Sequence, residues 1–558
     1  MSTQPLTIVI VGGVAGGASA ATRARRMNEG ARIILLEKDP YVSFANCGMP
    51  YYVGGEIADR AKLIVASAAF LERRFRIDVR TGQVATAIDR AARTVTVLNV
   101  SDGSKYTLSY DRLVLAPGAR PFKPPIDGVD AENVFTLRNL ADMDAIKTLL
   151  DKQAPRQAVV VGAGFIGLEM VEQLHRVGVH VDLVEARPQV LPLLDPEMAH
   201  AVQEALEQKG IGLHLGQPLA GFAREGGRVT AVRLPDGKTI TTDLVVLGMG
   251  VRPSSELAEA AGLALSPARA IRVNRQGQTS DAAVYAVGDA AESVSGVSGQ
   301  PGLVPLAGPA NRAGRIAGGN AAIDGGAETG TVLGTAIVRV FDVTAGMTGL
   351  SMEAARRQGF EARAVIVEAN HHAGYFPGAQ RMLLKLVYAA ADGRLLGAQA
   401  VGGDGVDKRI DVVATAMHFR GTVADLAELD LAYAPPFGSA KDPVHMAAFA
   451  ATNELDGWVA FLQPDANLRD LQRVDVRTDG EVAAGMEPGA IHVPLDDLRE
   501  RLGELDGTRP TAVLCRSGLR AWVASRILRQ HGFTDVKVLT GGMVMRGHAR
   551  AAGMVADD

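Results

Sequence analysis

The sequence contains little that would mark a secreted, membrane-bound or nucleic-acid-binding protein. It has 558 residues but only two cysteines, too few for a disulfide framework, so we expect a reducing compartment. No uninterrupted apolar run approaches the length that spans a bilayer. The formal net charge is −4 and no long basic block is present, which gives no reason to expect nucleic acid. We therefore expect a cytoplasmic protein with no membrane or nucleic-acid partner.

The bulk composition points instead to an α/β enzyme. Hydrophobic residues make up 47% of the chain and charged residues 22%, and the 63 glycines indicate many tight turns. The length predicts three or four domains. The apolar stretch at residues 6–12 lacks a basic lead-in and is too short for a signal sequence, so we interpret it as a buried strand. No metal site is predicted.

A dinucleotide-binding pattern opens the chain. An apolar strand leads into a turn with Gly12, Val14 and Gly17, and after a helix a second strand ends at Glu37, followed by Lys38. Such glycines let the backbone approach a pyrophosphate at a helix N-terminus, and the acid can bind ribose hydroxyls. Val14 departs from the usual middle glycine, but Glu37 stands at the expected distance from Gly17.

A second copy of the pattern follows the rule fully. It carries Gly162, Gly164 and Gly167 after an apolar strand, and its second strand ends at Glu185. Two copies in one chain predict two dinucleotides. Glu185 would repel a 2′-phosphate, which favours NADH over NADPH, although an ordinary solvated acid at this strand end is the alternative.

One cysteine follows the first dinucleotide pattern, in the segment Ser43-Phe44-Ala45-Asn46-Cys47-Gly48-Met49-Pro50-Tyr51. No second cysteine lies nearby, so no local disulfide can form. The segment resembles the single-cysteine branch of the pyridine nucleotide-disulfide oxidoreductases, and most of all the coenzyme A-disulfide and persulfide reductases. The resemblance implies that Cys47 is a catalytic thiolate that exchanges electrons with a flavin, with Ser43 and Asn46 as substrate-binding neighbours. A buried structural cysteine is the alternative.

The same resemblance assigns the two dinucleotides. The segment that ends in Gly288-Asp289 is similar to the one in which the family's final aspartate binds the ribityl chain of FAD. Residues 113–121 and 247–253 resemble the two strands that cross between the FAD and NAD domains. The first unit is therefore expected to bind FAD, with Asp289, and the second to bind NADH.

The third region, residues 330–452, has the alternating pattern of strands and the position of the family's dimerisation domain. The resemblance implies a homodimer in which Tyr375 and Tyr433 reach the reactive cysteine of the partner subunit. A phenol there could donate a proton to a leaving thiolate. A packing role is equally compatible with the sequence.

Coenzyme A is expected as the substrate or bound thiol, again from the resemblance. Related reductases use basic residues of the first helix to hold its adenosine phosphates, and Arg23 and Arg26 lie three residues apart on that helix. A solvated basic face is the alternative. Arg60 and Lys62 are weaker candidates for the same role.

The chain ends in a segment that resembles a rhodanese domain. Asp475-Val476-Arg477, Pro488-Gly489-Ala490 and Leu539-Thr540-Gly541-Gly542 match that family's landmarks. A strand runs directly into Cys515-Arg516-Ser517-Gly518-Leu519-Arg520. We expect this six-residue loop to turn its N–H groups toward the sulfur, with the helix N-terminus, Arg516 and Arg520 favouring a thiolate or persulfide.

The sequence therefore predicts an FAD-dependent enzyme that uses NADH to reduce persulfides, polysulfides and coenzyme A disulfide through Cys47, with Cys515 handling sulfane sulfur. One alternative is an NADH oxidase or peroxidase that cycles through sulfenic acid at the same cysteine. The peroxidases carry a histidine in the first glycine-rich turn, where this chain has Ala15. A flavoprotein that acts as a sulfur carrier or binding platform is the other alternative.

The predicted fold class is α/β, with two Rossmann-like domains for FAD and NAD(P)H, an α+β dimerisation domain and a C-terminal rhodanese domain. The predicted borders are 1–113 with 250–329 for the FAD domain, 114–249 for the NAD(H) domain, 330–452 for the dimerisation domain, 453–464 for a linker and 465–558 for the rhodanese domain.

Overall fold

The computed structural model describes residues 5–555. The chain separates into two compact units. The first unit holds residues up to 184 together with 219–334, and the second holds 185–218 together with the chain from 335 onward.

The described residues form fifteen α-helices, which are α1 Ala15–Met27, α2 Met49–Val53, α3 Ala68–Phe75, α4 Leu140–Gln153, α5 Phe165–Arg176, α6 Pro196–Gln208, α7 Glu256–Ala260, α8 Ala307–Ile323, α9 Met352–Arg357, α10 Val406–His418, α11 Val423–Ala427, α12 Pro443–Leu455, α13 Asp479–Val482, α14 Leu519–Gln530 and α15 Gly542–Ala551. Short 3₁₀ helices span Asn46–Gly48, Arg60–Leu63, Gly288–Ala290 and Leu502–Glu504.

Thirty strands accompany them, which are β1 Thr7–Val11, β2 Arg32–Glu37, β3 Asp78–Thr81, β4 Gln83–Asp89, β5 Thr94–Asn99, β6 Lys105–Ser109, β7 Arg112–Leu115, β8 Ala119–Pro121, β9 Val134–Phe135, β10 Gln157–Val161, β11 His180–Glu185, β12 Gly212–Leu215, β13 Gly221–Glu225, β14 Arg228–Arg233, β15 Thr239–Thr241, β16 Leu244–Leu247, β17 Val251–Pro253, β18 Val284–Ala286, β19 Ser293–Val294, β20 Pro301–Gly302, β21 Ala336–Val340, β22 Val343–Gly349, β23 Ala362–Asn370, β24 Arg381–Ala389, β25 Leu395–Gly402, β26 Phe461–Leu462, β27 Gln472–Asp475, β28 Ile491–His492, β29 Thr511–Leu514 and β30 Val536–Leu539.

The first unit begins with a parallel sheet in the order β18-β7-β1-β2-β3. Its central strand β1 is a continuous apolar run, and Ile8, Val9 and Ile10 are completely buried because both faces of the sheet are covered. Helix α8 lies very close to α1. A Cβ atom at Gly314 would lie 2.3 Å from the Gly16 carbonyl oxygen, so only glycine permits this approach.

A second parallel arrangement in this unit has the strand order β11-β10-β16-β9. Two predicted crossover segments meet beside it, because β8 pairs with β17 in an antiparallel manner and Arg120 lies opposite Arg252. Antiparallel sheets β4-β5-β6 and β13-β14-β15 complete the unit.

The second unit contains an antiparallel sheet in the order β21-β22-β25-β24-β23, so β23 is an edge strand. A buried ionic cluster joins this sheet to helix α6. The Lys385 Nζ atom on β24 lies 2.7 Å from Asp195 Oδ2 and 2.5 Å from Glu197 Oε1. Gln399 donates to the same Asp195 carboxylate at 2.7 Å. The buried charges are tolerated because every one of them has a partner.

The C-terminal part of this unit is a parallel sheet in the order β26-β30-β29-β27-β28. Its core includes Val474, Val513, Val538 and the buried Cys515. Within the segment predicted as a linker, α12 continues to Leu455 and β26 pairs with β30. This segment is therefore partly regular structure.

The predicted α/β class is confirmed, with two parallel-sheet domains, an α+β domain and a C-terminal α/β domain. Across residues 5–555, no helix combines the length and the apolar character that a bilayer crossing needs.

Candidate redox and sulfur sites

The first glycine-rich turn brings β1, α1 and the end of β7 into contact that side chains would prevent. A Cβ atom at Gly12 would lie 2.1 Å from the Ala116 carbonyl oxygen, and one at Gly17 would lie 1.8 Å from the Gly12 carbonyl oxygen. Gly12 also has a φ of +97°, which favours glycine. Val14 is the residue before the helix and is partly buried. The turn therefore has the close packing of a dinucleotide-binding βαβ unit.

Glu37 is buried at the end of β2, beside this turn. Its Oε2 atom accepts the Gly13 N–H at 2.7 Å and its Oε1 atom accepts the Asp39 N–H at 3.0 Å. Burial raises the pKa of this carboxyl, and the two N–H groups oppose that shift. Each oxygen keeps a lone pair for a ribose hydroxyl. Lys38 is exposed and points to no described partner.

The second glycine-rich turn repeats the same contacts. A Cβ atom at Gly162 would lie 2.4 Å from the Gly248 carbonyl oxygen, and one at Gly167 would lie 1.8 Å from the Gly162 carbonyl oxygen. At Gly164, by contrast, no heavy atom lies within 4 Å of an added Cβ. This open space above the N-terminus of α5 fits a pyrophosphate. It also explains how the first turn accommodates Val14 at the equivalent position.

Glu185 is the last residue of β11 and is 9% exposed. Its Oε1 atom accepts the Arg187 N–H at 2.8 Å. The side chain is thus part of a tight turn and not a freely solvated acid. Arg187, whose backbone N–H binds Glu185, was not among the residues predicted from the sequence for this strand end.

The segment that carries Cys47 is held by buried neighbours on both sides. Phe44 and Met49 are buried, and the Ala45 N–H donates to the Leu63 carbonyl at 2.8 Å. Cys47 itself lies in a 3₁₀ turn and is exposed. Ser43 has a positive φ of 46°, and its carbonyl accepts the Val65 N–H at 2.8 Å. The backbone is therefore fixed while the thiol remains accessible.

Two carboxylates are close enough to influence the Cys47 thiol. Protein atoms around one side of the residue displace water, and this desolvation raises its pKa, with Glu169 and then Asp289 adding to the effect. The backbone N–H of Cys47 acts in the opposite direction. The described carboxylates near Cys47 therefore favour its thiol form, and its role as a catalytic thiolate stays a prediction.

A polar chain links several predicted residues near Cys47. Asn46 Nδ2 donates to the Arg138 carbonyl at 3.1 Å, and the Arg138 guanidinium lies 3.7 Å from Asp289 Oδ2. Burial raises the pKa of Asp289, and Arg138 opposes that shift. Tyr51 donates to Glu169 Oε1 on α5 at 3.2 Å. Arg138 and Glu169 were missed because they carry no motif of their own, and Tyr51 was given no role although it ends the segment that contains Cys47.

Tyr375 and Tyr433 are brought together by two loops that share the Ala373 N–H bond to the Gly438 carbonyl. Their phenol oxygens lie 3.2 Å apart and both rings are exposed. The hydrogen bond with Tyr433 raises the pKa of Tyr375, which keeps that phenol protonated as a donor. Neither ring is packed into the core of this protomer, and the proton-donor role of the two phenols stays a prediction.

The basic residues proposed to bind coenzyme A differ in their exposure and in whether other protein groups already bind their side chains. Arg26 is exposed, but its Nε donates to the Thr22 carbonyl at 3.0 Å. Arg23 is partly buried. Arg60 forms a two-contact ion pair with Asp144 at 2.7 and 2.6 Å, which occupies its guanidinium. Lys62 is exposed. Of this group, Arg60 has the clearest structural role.

The loop at Cys515 is held at the end of β29, deep in the C-terminal sheet. Cys515 is 1% exposed, and the Gly518 N–H donates to its sulfur at 3.1 Å. Only residues 515–518 lie between β29 and α14, so the expected six-residue loop is shorter because its last two residues start the helix. The carbonyls of Cys515 and Arg516 accept the N–H groups of Met543 and Val544 at 2.8 and 3.1 Å.

Both arginines beside Cys515 are paired with glutamates. Arg520 makes two bonds to Glu481, at 2.6 and 2.7 Å, and this pair lowers the pKa of Glu481 to about 2. Arg516 donates to Glu368 on β23 at 2.9 Å. The guanidinium charges of Arg516 and Arg520 were both expected to act on the sulfur, but each is shared with a carboxylate. Within residues 5–555, no group of three or more His, Cys, Asp or Glu side chains is arranged to hold a metal.

Comparison with known proteins agrees with this geometry. Residues 6–310 match the family model described as pyridine nucleotide-disulphide oxidoreductase, residues 335–443 match the dimerisation domain of that family, and residues 463–545 match a rhodanese-like domain. The chain therefore belongs to the pyridine nucleotide-disulphide oxidoreductases. It is an oxidoreductase enzyme that depends on FAD and NADH and carries a rhodanese-like domain.

Individual relatives show which members of this oxidoreductase family the chain resembles. The structure of reduced Bacillus anthracis CoADR-RHD shares 42% identity, covers 99% of each chain and has a TM-score of 0.96. A NAD-dependent persulfide reductase from A. fulgidus shares 39% identity over 97% of this chain and all of its own, with a TM-score of 0.91. The coenzyme A disulfide reductase of Staphylococcus haemolyticus is 34% identical over 80% of this chain and 99% of its own.

Proposed function

We propose that this enzyme uses NADH to reduce persulfides, polysulfides and coenzyme A disulfide at Cys47, and that Cys515 carries sulfane sulfur for that reaction. The observation that carries the proposal is the combination of an accessible cysteine in the dinucleotide-binding unit and a buried cysteine loop in the rhodanese-like domain. The similarity to a coenzyme A disulfide reductase and to a NAD-dependent persulfide reductase along most of the chain supports it.

The first glycine-rich turn fits FAD. Gly12 and Gly17 allow the close turn, Glu37 offers buried oxygens for ribose, and Asp289 offers a partly buried carboxylate in the 3₁₀ turn that follows β18. When bound, the flavin supplies the electron pair that comes from NADH. The second turn, at Gly162, Gly164 and Gly167, followed by Glu185, is the proposed NADH site. The domain borders 1–113 with 250–329, and 114–249, are part of this proposal.

The chemistry at Cys47 is a thiol–disulfide exchange. The Cys47 thiolate attacks one sulfur of coenzyme A disulfide, the S–S bond breaks, and one coenzyme A thiolate leaves. A mixed disulfide forms at Cys47, and two electrons and two protons return it to the thiol with release of the second coenzyme A. The net reaction consumes one NADH and one proton per disulfide. A persulfide yields the parent thiol and hydrogen sulfide instead.

The chemistry at Cys515 requires no electrons. Its thiolate attacks the outer sulfur of a persulfide or polysulfide, the S–S bond of the donor breaks, and the shortened donor leaves as a thiolate. The sulfur remains on Cys515 as a persulfide anion. The Gly518 N–H bond to the sulfur supports this anion.

A homodimer completes the proposal. Residues 335–443 match a dimerisation domain, and the paired phenols of Tyr375 and Tyr433 are exposed donors suited to protonating a leaving thiolate at the Cys47 of the partner subunit. Ser43, Asn46, Arg23 and Arg26 remain the proposed contacts for coenzyme A. The low cysteine content supports a cytoplasmic location. A dimer mass in light scattering is the expected result.

Steady-state turnover tests the proposed reaction. NADH oxidation is followed with coenzyme A persulfide, polysulfide, coenzyme A disulfide and hydrogen peroxide as separate oxidants. We expect the three sulfur substrates to be reduced and peroxide to be a poor substrate. Rapid turnover with peroxide or dioxygen alone would favour the alternative of a peroxidase or oxidase. Binding of sulfur without NADH turnover would favour a carrier or binding platform.

A further inference from the structure

The ion pair of Arg516 crosses from the rhodanese-like domain to the neighbouring antiparallel sheet. Glu368 lies on β23 and is 8% exposed at its side chain. Its Oε1 atom accepts from Arg516 Nη2 at 2.9 Å, and its Oε2 atom accepts from Arg381 Nη1 at 2.9 Å. A carboxylate buried to this degree remains charged only with strong partners. Arg516 is therefore held from outside its own domain.

The same edge strand is bound at two further points. Thr540 Oγ1 accepts the Ile366 N–H at 2.7 Å and lies 3.3 Å from the Ile366 carbonyl oxygen. Gln463 Nε2 donates to the Ala364 carbonyl at 2.8 Å. Because β23 is an edge strand, these backbone groups have no strand on that side to pair with. Residues 364, 366 and 368 thus form one regular line of contacts.

This line of contacts continues into the cysteine loop. Thr540 is followed by Gly541 and Gly542, where α15 begins. A Cβ atom at Gly542 would lie 2.3 Å from the Cys515 carbonyl oxygen and 2.5 Å from that of Arg516. The backbone of the loop and the guanidinium of Arg516 are therefore fixed by the same contact with β23. The Arg516 Nε atom is buried and has no hydrogen-bond partner among the described residues.

We propose that Glu368 is a positioning residue for sulfur transfer at Cys515, and that it acts through the Arg516 guanidinium. The proposal rests on the proposed sulfur-carrying role of Cys515. Glu368 holds Arg516 at the loop and balances its charge. Glu368 occupies Nη2 of Arg516, while the buried Nε–H of the same guanidinium has no partner among the described residues. In this way a residue of the dimerisation-domain sheet sets the charge that the sulfur experiences.

Several charged groups around Cys515 contribute to the electrostatic potential at its sulfur. Arg516 comes from the loop and Arg520 from α14, and both are cations. Glu481 of α13 neutralises Arg520 in a two-contact pair. The Asp475–Arg477 ion pair at the end of β27, at 2.7 Å, carries no net charge. Glu368 and Arg381 complete the set. Removal of the Glu368 charge alone leaves Arg516 uncompensated, which favours a thiolate at Cys515.

The test measures the pH dependence of Cys515 alkylation by iodoacetamide in the full-length enzyme with FAD bound. A Cys47→Ser background leaves Cys515 as the one thiol of the chain, since the sequence has two cysteines. We expect the pH midpoint to fall in Glu368→Gln and to rise in Arg516→Gln. In the double variant, the Glu368 substitution should have no further effect. An unchanged midpoint in Glu368→Gln, or an equal Glu368 effect without Arg516, would overturn the proposal.

Matched variants separate positioning from folding. Arg381→Gln removes the other partner of Glu368 but keeps the Arg516 contact, so it should raise the midpoint less than Arg516→Gln does. Glu368→Asp keeps the charge and should return the midpoint toward that of the parent. If Glu368→Gln does not fold, the Glu368→Asp and Arg381→Gln results still decide the question. A shift of equal size in Arg381→Gln and Arg516→Gln would contradict a specific role for Arg516.

A second readout distinguishes this proposal from the proposed function. The parent enzyme is incubated with polysulfide, and mass spectrometry reports whether Cys515 gains one sulfur. Failure of Cys515 to gain sulfur contradicts the carrier role, while the alkylation series still reports whether Glu368 acts through Arg516. Sulfur loading with an unchanged alkylation midpoint in Glu368→Gln leaves the carrier role intact and removes Glu368 from it.

Discussion

The two cysteines of this enzyme lie in opposite surroundings. Cys47 is exposed in a 3₁₀ turn, and the charges that influence it are the carboxylates of Glu169 and Asp289, which raise its pKa. Cys515 is 1% exposed, receives the Gly518 N–H and stands beside two arginines. One site has open access and two carboxylates nearby, while the other has restricted access and two arginines that are each paired with a glutamate.

This difference shows that the two sites acquire reactivity in different ways. At Cys515 the Gly518 N–H donates to the sulfur, and the Arg520 charge interacts with that cysteine. Helix α15 binds the carbonyl oxygens of the loop and so fixes its backbone. At Cys47 the described carboxylates favour the thiol form, and the fold leaves the sulfur accessible. We propose that Cys515, in contrast, holds a small sulfur species.

The largest expected effect comes from Cys47→Ser. We expect no detectable NADH turnover with any disulfide or persulfide, because each reduction requires a sulfur–sulfur bond to that cysteine. FAD should remain bound, and NADH should still bleach its absorbance. Stopped-flow absorbance and steady-state assays check this result.

Cys515→Ser provides the matched control for that variant. Turnover of coenzyme A disulfide close to that of the parent is expected, since this small disulfide can enter the Cys47 site alone. Persulfide turnover near the parent level in Cys47→Ser would mean that sulfur is reduced without Cys47. The assignment of reduction to Cys47 and of sulfur carriage to Cys515 would then be wrong.

The next effect concerns Cys515 itself. Cys515→Ser should remove sulfur loading and reduce turnover of polysulfide or protein-bound sulfur, because we propose that the buried loop holds the persulfide anion. Mass spectrometry and NADH oxidation with each substrate class measure the loss. Equal turnover of every substrate in parent and variant would exclude the rhodanese-like domain from the reaction.

A smaller effect is expected when the loop is disturbed and its cysteine is kept. Gly542→Ala places a Cβ atom against two backbone oxygens, at 2.3 and 2.5 Å, at a φ of +59°. The left-handed conformation alone costs about 1–2 kcal/mol in a residue with a Cβ atom. We expect roughly a tenfold or greater loss of sulfur transfer at Cys515, because the clash must displace the loop carbonyls and a misplacement of about 1 Å can cost about 100-fold in rate.

Gly547→Ala is the control for this change, because it lies on the same helix and an added Cβ would have no atom within 4 Å. It should retain parental sulfur transfer and coenzyme A disulfide reduction. Loss of activity in both variants would indicate general damage to α15 and not a specific effect on the Cys515 loop.

Much of this architecture was predictable because it depends on local patterns. A Cβ atom at several glycines would clash with a backbone oxygen, so these positions require glycine and can be recognised from the sequence. They are Gly12, Gly17, Gly162 and Gly167. Apolar strands such as β1 and β29 show the continuous runs of buried parallel strands. The residues that flank Cys47 and Cys515 also identified these cysteines as candidate reactive sites.

The electrostatics of the sites were not predictable in the same way. Glu169, Arg138 and Glu368 lie far along the chain from the residues they influence. Glu169 lies on α5, Glu368 on β23 and Arg138 in the loop between β9 and α4, and none of these elements carries a motif that signals the contact. The sequence interpretation counted Arg516 and Arg520 as free charges, but long-range pairing with Glu368 and Glu481 changes that count. The loop at Cys515 also contributes fewer residues than expected, because Leu519 and Arg520 belong to α14.

The smallest expected effect tests the negative surroundings of Cys47. Glu169→Gln removes the carboxylate with the largest charge influence on the thiol, while the amide can still accept from Tyr51. A like charge disfavours the thiolate and raises its pKa, so removal of that charge should lower it. In a Cys515→Ser background, the alkylation midpoint of Cys47 in the holoenzyme should therefore move to lower pH. Glu225→Gln, an exposed substitution in the same unit that also removes one negative charge, should leave the midpoint in place. An unchanged or higher midpoint in Glu169→Gln would show that Glu169 does not control this thiol.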